Sequence, residues 1–315
     1  MKRDKIGVIL LNMGGPTNLD EVRPFLYNIF SDREIIRLGP ALLQKPIAWL
    51  IARKRAPKSA QIYQKIGGGS PIAEITRKQQ QALQEALEPH GSFVVTTGMR
   101  YWHPTAREAL ETLRSQDVTR LIGLSLYPHY SCATAGSSLK ELKRNLRPDE
   151  LTSLIEIGSW PTQPGYISCL AEKITSGLKQ FQGEAVQILY SAHSLPVSFI
   201  NDGDPYVEHL EETIKAVEQI TGQTGRICYQ SRSGPVEWLA PATPEAIVET
   251  AQSGAKNILM VPISFVSDHV ETLYEINMQY RELAEAHGVR LEPSESLNCD
   301  PVFIEALKDI VLAKL

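Results

Sequence analysis

A chain of 315 residues is long enough for a large core and, because single cores stop growing near this length, for two domains. Its 43% hydrophobic and 22% charged residues are those of an ordinary globular protein, and a net charge of −4 leaves no basic footprint for nucleic acid. The four cysteines, Cys132, Cys169, Cys228 and Cys299, stand far apart without a C-x-x-C pair, which fits neither a disulfide framework nor a zinc site and points to reduced thiols in a cytosol.

The chain opens on Met1-Lys2-Arg3-Asp4-Lys5 and an apolar run to Met13. Asp4, the shortness of that run and the lack of an A-x-A site argue against a signal peptide and for a buried first strand. Strands are expected near Ile6–Leu11, Phe93–Thr97, Leu121–Leu126 and Ser153–Ile157, then near Val186–Ser191, Arg226–Gln230, Asn257–Ile263 and Arg290–Glu292. Between them lie helix starts. Ser70-Pro71 supplies an N-cap and a first-position proline, Thr105-x-x-Glu108 and Ser138-x-x-Glu141 have the form of capping boxes, and Asp204-Pro205 opens a helix that Gly222 closes. The segment Leu38–Ile51 comes nearest to a membrane span, but Gln44, Lys45 and two prolines interrupt it, and no run approaches about 18 apolar residues. The last segment, Pro301–Leu315, is an amphipathic helix with Phe303, Ile304, Leu307, Ile310 and Val311 on one stripe.

Strand and helix alternate throughout, so the expected fold class is α/β with two parallel sheets. The halves share one order of elements without a residue-level repeat. The turn-rich stretch Trp160–Gly165 places the boundary, giving domains 1–158 and 159–315, the second carrying the terminal helix 301–315.

Two apolar runs in the second half break off at polar clusters. One ends at Ala192-His193-Ser194-Leu195-Pro196, the other at Ser267-Asp268-His269-Val270-Glu271. Open α/β sheets place ligands at the carboxyl ends of strands, where one imidazole and several carboxylates can bind a divalent ion and move protons. His193 precedes a long loop and so sits at a cleft, or else bonds to its own loop. Asp268, Glu271 and Glu275 share one helical ridge, although Asp268-x-x-Glu271 also has the form of a plain helix start. The glycine clusters Asn12–Pro16 and Gly67–Pro71 match no nucleotide fingerprint; they are suited to a tight turn or to an anion at a helix N-terminus. Aromatic and cationic residues gather in the loops, among them Tyr63, Arg100-Tyr101-Trp102-His103, Tyr206, Trp238 and Phe265. Together they suit a flat apolar ring bearing a few acidic groups. Arg53-Lys54-Arg55 and Lys58, beside Leu38–Ile51, form a solvated face or one that meets an acidic substrate or anionic headgroups.

Taken in order, these segments closely resemble the ferrochelatases, which insert ferrous iron into a porphyrin at the end of haem synthesis. The matching stretches are Leu11–Pro16, Tyr63–Ile72, Met99–Pro104, Tyr130–Ser138, Ser191–Pro196, Gly203–Tyr206, Gln230–Pro241 and Ser267–Glu275. The resemblance implies two Rossmann-like, chelatase-type domains, each a four-stranded parallel sheet flanked by helices, with a porphyrin cleft between them. It implies His193 and Glu271 as the metal-handling and proton-accepting pair, supported by Asp268 and Glu275. Met13, Tyr63, Ser70, Arg100, Tyr101, Tyr206, Trp238 and Phe265 match family positions that line the cleft, and Arg55 falls where the family has a basic residue near the porphyrin acid groups. Protoporphyrin IX and Fe²⁺ are the implied substrates, with a cytoplasmic location and peripheral contact with the inner membrane.

Two departures refine this. The chain ends at Leu315 without the cysteine-bearing extension that holds an iron–sulfur cluster in some ferrochelatases, and Cys132 alone cannot hold one, so no cluster and no resident cofactor is expected. Met13 stands where chelatases acting on coproporphyrin usually carry a tyrosine, which favours protoporphyrin IX. The alternatives are a coproporphyrin III ferrochelatase, a cobalt-inserting relative, or a non-catalytic porphyrin or haem carrier. A carrier has no need of three carboxylates opposite its histidine.

Overall fold

All eight expected strands are present in the structure, a computed structural model that describes residues 5–315. The basic start at Met1–Asp4, weighed above as part of a leader, lies outside the described residues. The chain forms two units. The first extends to Trp160 and takes in Leu307–Leu315; the second is Pro161–Ala306. The observed division thus falls two residues after the 158/159 boundary, and the end of the terminal helix groups with the first unit. Periodicity identifies that helix as one element but says nothing of which layer its face meets.

In the first unit β1 (Lys5–Asn12), β2 (Ser92–Met99), β3 (Arg120–Ser125) and β4 (Leu154–Ile157) form a parallel sheet in the order β2-β1-β3-β4. In the second, β5 (Gln187–His193), β6 (Gly225–Gln230), β7 (Asn257–Pro262) and β8 (Arg290–Pro293) repeat it as β6-β5-β7-β8. The central strands are apolar almost throughout because helices cover both faces of such a sheet, and every residue of β7 is buried. In this order the chain reverses direction across the sheet between β1 and β3, and again between β5 and β7. That switch point opens a crevice at the carboxyl ends of the two strands.

The helix starts divide. Thr105 and Glu108 make the expected reciprocal cap on the helix Ala106–Arg114. Asp204 accepts from the Tyr206 amide, and the helix Tyr206–Thr221 ends at Gly222 with φ +65°. The helix after Ser70-Pro71 begins at Ile72, with Pro71 in the cap position. Ser138, however, lies inside the helix Ser137–Arg144, which continues from a π-helical turn, Cys132–Gly136; the cap is Ser131, whose hydroxyl accepts from the Ala133 amide. Asp268 and Glu271 make no capping box either. Glu271 opens a second π-helical segment, Glu271–Tyr280, after β7. A capping pattern read at α-helical spacing misses a start where the turn takes an extra residue, and such turns concentrate at functional sites.

Among the described residues no helix is long and apolar enough to cross a membrane. Leu38–Ile51 enters the helix Gln44–Lys65, where the buried Gln44 amide donates to the Phe30 and Ile36 carbonyls. Leu42, Leu43, Trp49 and Leu50 of the same segment remain exposed.

Candidate active site

His193 is the last residue of β5. Its amide donates to Ser264 Oγ at 3.0 Å and its carbonyl accepts from the Tyr206 hydroxyl at 3.1 Å, so the ring leaves the sheet edge from a backbone held on both sides. Its Nδ1 faces both oxygens of Glu271, at 3.0 and 3.1 Å. An ionised carboxylate only accepts hydrogen bonds, so Nδ1 carries the hydrogen and the neutral ring keeps its lone pair on Nε2. The imidazole side chain is 35% exposed and that of Glu271 only 11%. Phe265 meets the His193 ring edge-on at 6.2 Å and packs on His269 at 4.1 Å.

The π-helical segment supplies the carboxylates. Glu271 also accepts from Gln230 Nε2 at 2.8 Å and lies 3.8 Å from His269 Nε2. Glu275 accepts from the Ser231 hydroxyl at 2.9 Å and from the Tyr280 hydroxyl, one π-turn onward, at 3.1 Å. Asp268 is engaged elsewhere: its carboxylate accepts from Ser296 (2.7 Å), Asn298 (2.8 Å) and Thr272 (3.1 Å), which ties the start of the segment to the loop after β8. Asp268 also lines a cavity of about 360 Å³ with Thr272, Ser294, Ser296 and Asn298; His193, Glu271 and Glu275 lie outside that lining.

These surroundings separate the titrations. Burial by itself would lower His193, but the charge and hydrogen bond of Glu271, with the Glu275 charge behind them, hold it above its usual value. Burial likewise opposes ionisation of Glu271, and the charge and hydrogen bond of His193, with a smaller contribution from His269, keep it well below the ordinary carboxylate range. Glu275 goes the other way. Burial and then the charge of Glu271 raise it, and its bonds to Ser231 and Tyr280 only partly offset this. Two neighbouring carboxylates are thus pushed in opposite directions, the pattern by which acid and base roles are divided in one site.

Chemically, His193 Nε2 can accept a proton or meet a metal, and Glu271 steadies the positive charge that results. Among the described residues, no three His, Cys, Asp or Glu side chains are gathered to hold a metal ion. The donors present are a pair, His193 and Glu271.

The remaining residues expected from the sequence fall in one unit or the other. In the second, Tyr206 is buried beneath His193, Phe265 is half-buried at its ring edge, and Trp238 lies on the loop after β6, bridged to Pro196 in the loop after His193. In the first, Met13 follows β1 and its carbonyl accepts from the Tyr101 amide. Arg100 and Tyr101 follow β2 and are committed to a buried cluster: Arg100 bonds Asp32 (2.8 Å) and Ser137 (2.7 Å), and the Tyr101 hydroxyl bonds Asp32 (2.7 Å). Tyr63 is buried near the end of the helix Gln44–Lys65, and Arg55 of that helix lies over the Phe30 ring at 5.3 Å. Ser70 donates its amide to the Pro16 carbonyl at 2.7 Å. Beside it, a Cβ on Gly69 would fall 2.3 Å from the Thr17 carbonyl oxygen and one on Gly15 2.7 Å from Ser70 Cβ. The two glycine clusters therefore serve close packing of one loop on the other.

Sequence reasoning did not single out Gln230, Ser231, Ser264, His269 or Tyr280. For Gln230 the signal was present: it is a polar residue closing an apolar strand, as His193 is, and the two pair across β5 and β6.

The sequence model of the ferrochelatase family matches residues 5–315. Curated relatives named ferrochelatase are 58% identical over 313 residues in Desulfotalea psychrophila (99% of this chain, 98% of the relative) and 52% identical over 312 in Geobacter metallireducens (98% of each). The ferrochelatase of Gloeobacter violaceus is 46% identical over 320 residues, covering 99% of this chain and 98% of its own. Among solved structures, SirB from Bacillus subtilis with Fe³⁺ superposes with a TM-score of 0.55 at 13% identity, over 98% of this chain and 94% of SirB. CbiX, an enzyme of sirohaem biosynthesis in denitrifying bacteria, gives 0.51 at 10% identity, over 99% of both chains. At such low identity these last two establish a shared chelatase-type fold.

Proposed function

The chain belongs to the ferrochelatase family, a lyase that inserts ferrous iron into a porphyrin in haem biosynthesis, and from that premise we propose that His193 and Glu271 carry the proton and metal handling as Fe²⁺ enters protoporphyrin IX. The observation that supports this most is the Nδ1–carboxylate contact, which leaves His193 Nε2 with the lone pair. Insertion requires a porphyrin to lose two pyrrole protons. A neutral imidazole can take such a proton near neutral pH, and Glu271 stabilises the imidazolium formed. Glu275, already raised toward protonation, is the next acceptor along the ridge and completes a relay away from the ring. Iron, as substrate, meets His193 Nε2 transiently, and Glu271, bonded to Nδ1, steadies the charge from behind the ring. Asp268 anchors the ridge through Ser296 and Asn298.

Met13, Tyr63, Ser70, Arg100, Tyr101, Tyr206, Trp238 and Phe265 are proposed to contact the porphyrin, with Arg55 near its acid groups. Met13 is the residue that favours protoporphyrin IX over coproporphyrin III. Anaerobic turnover of each porphyrin with Fe²⁺ tests the reading: haem formation preferring protoporphyrin is expected. A preference for coproporphyrin overturns the substrate, and binding of both without insertion points to a carrier.

No iron–sulfur cluster is proposed. Burial pushes the Cys169 thiol up to about 12 and the Cys228 thiol up to about 11, so in the unliganded chain both rest as thiols. An assay of the purified protein for iron and sulfide, expected to find neither, tests this. A cytoplasmic enzyme with peripheral membrane contact is the proposed setting, supported by Leu42, Leu43, Trp49 and Leu50, exposed beside basic residues.

A further inference from the structure

We propose that Gln230 is a positioning residue for metal insertion, holding the Glu271 carboxylate against His193 through a buried string of hydroxyls that runs back to Thr243. The inference deepens the function assigned above and rests on it.

Gln230 ends β6 directly opposite His193 in the β5–β6 register. Its side chain, 2% exposed, spans two partners: Nε2 donates to Glu271 Oε2 at 2.8 Å, and Oε1 accepts from Ser191 Oγ at 2.5 Å. Ser191 is buried and sits two residues before His193, on the same face of β5. Its hydroxyl lies 3.3 Å from that of Thr243, itself buried at the start of the helix Thr243–Gln252.

The direction of this string follows from valence. Glu271 can only accept, so Gln230 must present its NH₂ to it, which turns the amide oxygen toward Ser191. Ser191 has one hydroxyl proton and gives it to Gln230, so toward Thr243 it can only accept, and the Thr243 proton is shared between Ser191 and Cys228 Sγ at 3.4 Å. The Ser191 proton locks the amide in the orientation that serves Glu271. Thr243, Ser191 and Gln230 are contributed by a helix start and two strands of the second sheet, whereas Glu271 stands at the first turn of a π-helix. The string therefore ties the π-helical segment to the sheet. Gln230 acts through the carboxylate: it fixes the oxygen that keeps His193 Nδ1 protonated and Nε2 available, as partners behind a ligating histidine do.

The test is steady-state insertion of Fe²⁺ into protoporphyrin IX by the full chain, comparing Gln230→Leu and Ser191→Ala in the native and in the Glu271→Gln background. Gln230→Leu is expected to lower kcat about 10-fold, the lower end for groups that orient a ligand, with KM for porphyrin unchanged. Ser191→Ala, which removes the lock without touching Glu271, lowers kcat by less. In the Glu271→Gln background neither substitution lowers it further, because the group they act through is gone. Losses that multiply in both backgrounds, or a raised KM with kcat intact, overturn the proposal. Should Gln230→Leu not fold, Ser191→Ala alone decides it by the same non-additivity. Glu271→Gln turning over like the native chain overturns the underlying reading of the pair. Glu271→Gln impaired while both other variants match the native chain overturns only the role of Gln230.

Discussion

The hydrogen between His193 and Glu271 sits on nitrogen, and the direction of the pH response follows from that. Glu271 and Glu275 raise His193 against the opposing effect of burial. The neutral ring, the form with a lone pair to offer, therefore accumulates only as pH climbs through a value above the ordinary one of about 6.5. The insertion rate should rise over that same interval. Glu271→Gln removes the larger of the two raising influences and leaves burial, which lowers. The rising limb of its residual kcat is thus expected at lower pH than in the native enzyme. A limb that stays in place or moves upward would show that the titrating group is not His193. At this scale the sequence was partly legible. His193, Glu271 and Glu275 stood out as polar residues closing apolar runs or sharing a ridge. Gln230, Ser231 and Tyr280 did not, because what they do depends on cross-strand register and on a helical turn wider than the α spacing assumes.

Elements were the most legible level. Eight apolar runs became eight strands because a strand covered on both faces needs little but apolar side chains, and that is visible residue by residue. Helix starts were legible where the cap is local. Thr105 and Glu108 close on one another within four residues, and the reciprocal bond is there. Thr105→Ala should cost about 1 kcal/mol of stability, visible as a lower midpoint in a denaturant titration with the slope unchanged; an unchanged midpoint would mean the cap contributes nothing. The Ser138 and Asp268 patterns failed for one shared reason. Each falls where a π-helical turn follows a central strand, after β3 and after β7, and the extra residue per turn moves the start. The two failures mark corresponding places in the two sheets, which is further sign that the halves are built alike. At Asp268 the displaced cap residue has found another task, bonding Ser296 and Asn298.

For the molecule as a whole, composition had already set aside nucleic acid and a membrane span, but not a membrane surface. The segment that came nearest to a span became a helix with exposed Leu42, Leu43, Trp49 and Leu50, and Arg23 and Arg53 lie over the Trp49 ring at 5.2 and 5.4 Å. An exposed apolar segment whose Trp49 carries two guanidinium groups suits an anionic lipid surface. Cosedimentation with anionic vesicles at low salt, weakened by added salt and by Trp49→Ser, is expected; no cosedimentation at low salt would leave the patch without this role. The repeated strand order supplies two switch points, and the pair His193–Glu271 stands at that of the second unit, between β5 and β7. The central claim is that this pair carries the insertion chemistry while other residues hold the porphyrin. Its most direct test is anaerobic haem formation from protoporphyrin IX and Fe²⁺, followed by absorbance, in the native chain beside His193→Ala, with porphyrin binding measured in parallel by fluorescence. The account predicts that His193→Ala binds porphyrin as the native chain does and forms almost no haem; near-native turnover by His193→Ala would contradict it.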